Sequence, residues 1–109
     1  MNKIFKITLD VIGGVQVQQL PQGAKPLAVG IQNDFPVVWY EVDPEQSLRP
    51  RALRTVTTGE EFDASHAEYI GTVVISGWHP VHVYEQHGGS LKIDSREHIR
   101  EYHKEATDG

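Results

Sequence analysis

Val37-Val38-Trp39-Tyr40-Glu41-Val42 decides the architecture. Val37 and Trp39 point to one side of an extended chain, while Val38, Tyr40 and Val42 point to the other, because side chains alternate along a strand. A strand apolar on both sides must be central, or covered on its second face. Trp39 is accordingly expected in the core. Asn33-Asp34 lies just before this stretch and predicts a tight polar turn, with Leu27, Val29 and Ile31 alternating ahead of it.

The same period of two runs outward in both directions. Phe5, Ile7 and Leu9 alternate with Lys6 and Thr8, and Val15 and Val17 alternate with Gln16 and Gln18. Gly13-Gly14 between them predicts a first hairpin. C-terminal to the central stretch, Arg51 to Thr58 is rich in Arg and Thr and reads as a wetter strand. Tyr69 to Ile75 and Val81 to Gln86 complete the series. About seven short antiparallel strands in one domain imply an all-β fold, a small sandwich or partly open barrel. No alternation of strands with helices supports a parallel nucleotide-binding sheet.

The pattern changes after His87-Gly88-Gly89-Ser90. Asp94 with Glu97 three residues later forms a capping-box signal, so residues 95–106 read as a short C-terminal helix with a thin apolar stripe of Ile99, Tyr102 and Ala106. The expected organisation is therefore a β domain over 1–90 and a charged helical extension over 91–109.

Composition narrows the function. The 109 residues hold no cysteine, so thiol chemistry, thiolate metal sites and disulfides are out. Ten Lys and Arg face fifteen Asp and Glu, for a net charge of −5. That balance argues against nucleic acid and anionic membrane as partners. No apolar run approaches the length of a spanning helix, and Lys6 and Asp10 interrupt the N-terminal apolar stretch, so no leader is expected. No G-x-S-x-G elbow, Walker A or G-x-G-x-x-G motif occurs. The expectation is no enzymatic activity, no cofactor and no metal. The six histidines, at 66, 79, 82, 87, 98 and 103, do not share faces at ligand spacing. His82 shares a strand face with Tyr84 and Gln86 instead.

Three groups of residues remain as candidates for binding. Arg49, Arg51 and Arg54 form a basic cluster suited to holding a phosphate or carboxylate with paired guanidinium forks. On an ideal strand Arg49 and Arg51 share a face and Arg54 does not. Glu60, Glu61 and Asp63 form an acidic loop able to meet a basic partner. Trp78 and His79 sit in a turn, where an exposed indole has the composition of an interaction hot spot.

The ordered set Ile4-Phe5-Lys6, Leu20-Pro21-Gln22-Gly23-Ala24, Leu27-Ala28-Val29 with Gln32-Asn33, Val38-Trp39-Tyr40-Glu41-Val42-Asp43-Pro44, Thr58-Gly59, Tyr69-Ile70-Gly71-Thr72-Val73 and Val81-His82-Val83-Tyr84-Glu85 resembles a domain-of-unknown-function family of small bacteriophage and prophage proteins. The resemblance spans residues 3–86. The sequence departs from that family after Thr58-Gly59, where Glu60-Glu61-Phe62-Asp63 stands. The resemblance implies a phage accessory role and carries over no catalytic residue. With an acidic second half, the leading expectation is a binding protein that occludes a host protein, such as a defence component, in the host cytoplasm. The alternatives are a binder of small anionic nucleotides using the Arg49/Arg51/Arg54 cluster, and a virion decoration protein. A host or phage protein is the expected partner, and homodimerisation through edge strands is an open variant.

Overall fold

The central stretch takes the middle place in its sheet. The computed structural model describes residues 1–10, 13–77, 80–87, 99–102 and 107–108. Phe35–Val42 forms β4, and it runs between β1 (Lys3–Thr8) and β3 (Lys25–Gln32), antiparallel to both. Asn33 and Asp34, both at positive φ, make the turn joining β3 to β4 as their short polar side chains allow. The second sheet holds β2 (Val15–Pro21), β5 (Leu48–Thr57), β6 (Ala67–Val74) and β7 (Pro80–Gln86) in the order β6-β7-β5-β2, again antiparallel. Two short strands extend the sheets. β8 (Ile99–Tyr102) lies parallel to β2, and β9 (Thr107–Asp108) pairs with β1. The protein is all-β, with seven strands in two antiparallel sheets before these additions.

The sheets are joined by their inner faces. Ile7, Leu9, Leu20, Val38, Tyr40, Val42, Leu53 and Val83 form one buried cluster, with Phe5, Val29 and Ile70 against it. Val73, Ile75 and Val81 form a second, which Val29 also touches. Val29 therefore links the two clusters. It has room only because residue 71 is glycine: a Cβ there would stand 2.9 Å from Val29 Cγ2 and 3.2 Å from its Cβ. A β-branched side chain has few rotamers to retreat into. Gly71→Ala is expected to cost about 1–3 kcal/mol by overpacking, read as a lower urea midpoint with an unchanged slope.

Four expectations from the sequence need correction. The first hairpin does not form, because β1 and β2 belong to different sheets. Gln16 turns inward and serves the crossing: its amide donates to Thr8 O at 2.9 Å and its Oε1 accepts from Asp10 N at 3.3 Å. β5 is not a wet strand but an interior one, with Ala52, Leu53, Thr55 and Val56 buried. Thr55 earns that place by accepting a hydrogen bond from Gly13 N through Oγ1 at 2.8 Å. Trp39 is not in the core but half-buried on the outer face of the first sheet. Its neighbours Val38 and Tyr40 already fill the inner face, and alternation sends the indole outward. The helix expected over 95–106 lies largely outside the described residues, but 99–102 within it are extended as β8, which gives the edge of β2 a backbone partner.

Candidate functional site

Alternation along β7 separates two environments. Val81, Val83 and Glu85 are fully buried, while His82, Tyr84 and Gln86 face outward. Pairing sets Arg54 of β5 and Tyr69 of β6 beside Tyr84, and Thr72 of β6 beside His82. Residues 69 and 72 would point to opposite sides of a regular strand. A register shift between Tyr69 and Gly71 takes up one residue, Ile70, and so turns both outward.

That bulge builds a polar chain. Tyr69 OH lies 2.5 Å from Thr72 Oγ1, which lies 2.9 Å from His82 Nδ1; His82 Nε2 lies 2.9 Å from Thr58 Oγ1. Both ring nitrogens are held by hydroxyls, which fixes the imidazole on the sheet surface. Beside the chain is an aromatic cluster. The Phe62 and Tyr84 rings are 4.9 Å apart and tilted by 55°, and Tyr69 meets Tyr84 edge-on at 5.4 Å. Tyr69 is 55% exposed.

Carboxylates rim the cluster. Glu60, Glu61, Asp63 and Glu68 are exposed, the first three beside Phe62; Glu68 pairs with the inward Glu85 in the register and its Oε1 lies 2.6 Å from His87 Nε2, so it lies off the aromatic face. The loop carrying the first three is fixed by its own hydrogen bonds: Thr57 N donates to Glu60 Oε1 at 3.0 Å and Ser65 N to Asp63 Oδ1 at 2.9 Å. The Ser65 backbone bond, helped by its hydroxyl and by the nearby His66 and Arg54 charges, holds the Asp63 carboxyl below its usual range. An open aromatic surface with a fixed acidic border suits a cationic segment of a partner, through ring faces and carboxylates together.

The predicted binding residues separate. Glu60, Glu61 and Asp63 border the aromatic face, and Arg54 stands on it. Arg49 is exposed near the start of β5. Arg51 turns inward, where its Nε donates to Glu85 Oε2, its Nη2 donates to Ala24 O at 3.0 Å, and its guanidinium lies 5.6 Å from the centre of the Tyr40 ring. The three arginines thus do not converge on one ligand. Trp78 and His79 lie outside the described residues. Among the described residues no three His, Asp or Glu side chains gather as metal ligands, and no helix is long and apolar enough to cross a membrane.

Sequence reasoning missed Phe62, Tyr69 and Tyr84 as a cluster, and Glu85 as a buried acid. The run of valines interrupted at 82 and 84 was a usable signal for the outer face. Nothing local marked Glu85, whose partners Tyr40 and Arg51 are 45 and 34 residues away. Residues 1–92 match a family described as a domain of unknown function, DUF7352. No curated protein and no solved structure matches the chain.

Proposed function

We propose a role for a chain that belongs to the DUF7352 family of domains of unknown function: it is a non-enzymatic, phage-encoded binding protein that occludes a protein of the host cell. The exposed Tyr69 carries this reading. A large aromatic packed edge-on against Tyr84, with Phe62 behind it and carboxylates around it, has the make-up of an interaction anchor. The rigid sheet beneath keeps the ordering cost of binding low. The partner segment it fits is basic, because Glu60, Glu61 and Asp63 border the face.

Immobilised protein should capture a host protein from lysate at low salt and release it as salt is raised. Tyr69→Ala is expected to weaken capture by about 2 kcal/mol, roughly thirtyfold, while costing the fold only about 1 kcal/mol from the lost ring contact. Equal capture by the Tyr69→Ala protein, or no captured protein at all, would count against the reading.

A further inference from the structure

The outer face of the other sheet carries a second arrangement, independent of the aromatic-acidic one. Trp39 of β4 stands between Lys6 of β1 and Ala28 of β3 in the register. Its indole reaches across β3 over Gly30. A Cβ at residue 30 would lie 2.6 Å from Trp39 Cζ3 and 2.8 Å from Cη2, so the benzene half of the indole occupies the space where a side chain would stand. Glycine at this position lets the ring settle on the backbone of β3. The ring stays half-buried, with the exposed Phe35 and Ile4 on the same face.

Polar pairs lie on both sides of the ring. Lys6 Nζ donates to Gln32 Oε1 at 2.6 Å, a bond that spans β4 from β1 to β3. Asn2 Nδ2 donates to Glu41 Oε2 at 2.7 Å, two residues along β4 from the indole. Amides bring both a donor and an acceptor, the carboxylate brings acceptors and the ammonium brings donors. A mixed set of this kind matches hydroxyl groups, which donate and accept at once. It does not match phosphate, which asks for converging cations. The described arginines, Arg49, Arg51, Arg54 and Arg100, all lie on strands of the other sheet, and Lys25 stands opposite Glu41 in the register.

We infer that the Trp39 face is a saccharide-binding platform, with the indole stacked on the C–H face of one sugar ring and the Lys6/Gln32 and Asn2/Glu41 pairs on either side bonded to hydroxyls of the sugars that flank it. The ring C–H groups of a pyranose are apolar and slightly positive, and the indole face is electron-rich, so the two attract when water is excluded between them. Among the described residues this face is a sheet surface rather than an enclosed pocket, which suits an extended glycan chain, several sugars lying along the strands, rather than one enclosed monosaccharide.

The test is an array of immobilised glycans probed with the full chain, followed by titration of the best-retained oligosaccharide against the Trp39 indole N–H signal. At least one glycan should be retained, with a Kd of about 0.1–1 mM. Trp39→Leu should abolish retention, Trp39→Phe should weaken it about tenfold, and Tyr69→Ala, on the opposite sheet, should leave it unchanged. If Trp39→Leu does not fold, the surface pair Gln32→Ala and Glu41→Gln must lower retention with the indole intact. Absence of any retained glycan, or retention that survives these changes, overturns the assignment. So does a Trp39→Leu protein that loses protein capture while no glycan binds, since the platform would then be a protein contact. Loss of capture by Tyr69→Ala with glycan binding preserved keeps the two faces separate.

Discussion

Glu85→Ala is expected to lower stability by about 3–4 kcal/mol, the largest effect of any single change considered for this chain. Glu85 is fully buried between the sheets. One carboxylate oxygen accepts from Tyr40 OH at 2.9 Å, and the other is bound by Arg51 Nε. Removing the acid leaves a guanidinium facing the interior and a buried hydroxyl without its acceptor, and each loss carries its own desolvation cost. The Arg51 side chain is 17% exposed, which lets some water reach it and places the effect at the lower part of the range for broken buried pairs. For a domain of this size the midpoint of thermal unfolding should fall by about 12 °C or more. The double replacement Glu85→Leu with Arg51→Met should recover much of that loss, because it removes the stranded charge along with the pair. A Glu85→Ala midpoint within about 4 °C of the parent would show that the buried contacts of Glu85 with Arg51 and Tyr40 add little to the stability of the fold.

This buried group also marks where the sequence could and could not be read. β4 was legible because its two-sided apolar pattern suits a strand with a neighbour on each edge, and the Asn33-Asp34 turn because few residues tolerate positive φ. In each case the cause lies within a few residues of the signal. β5 was misread because Arg and Thr suggest water unless their partners are known. Those partners are Glu85 and Ala24 O for Arg51, and Gly13 N for Thr55, all remote in sequence. The separation of β1 from β2 and the outward turn of Trp39 are likewise set by tertiary pairing, which local alternation does not contain. The candidate face was half legible. Its acidic border reads directly from Glu60-Glu61-Phe62-Asp63, whereas joining Tyr69 to Thr72 depends on the bulge at Ile70, which breaks the parity used to assign faces.

The second large effect concerns alkaline pH and the same cluster. Burial, and after it the Glu85 carboxylate, push the Tyr40 hydroxyl well above its ordinary value of 10.0. An unfolded chain exposes that hydroxyl to water, where it ionises near 10. Below that pH both states hold the proton, and the contribution to stability is fully present. Above it the unfolded state releases the proton while the folded state keeps it, so stability falls as pH rises, by up to about 1.4 kcal/mol per pH unit until the folded hydroxyl ionises as well. Tyr40→Phe separates this effect from the titration of lysines and other tyrosines. At pH 8 it should be less stable than the parent by about 1–3 kcal/mol, because Glu85 Oε1 loses its buried donor. Between pH 10 and 11.5 it should lose less stability than the parent, so the two urea midpoints converge. Parallel midpoint curves for the two proteins across that interval would mean that Tyr40 gives up its proton in the fold as readily as in water, and that the buried contact with Glu85 does not hold it.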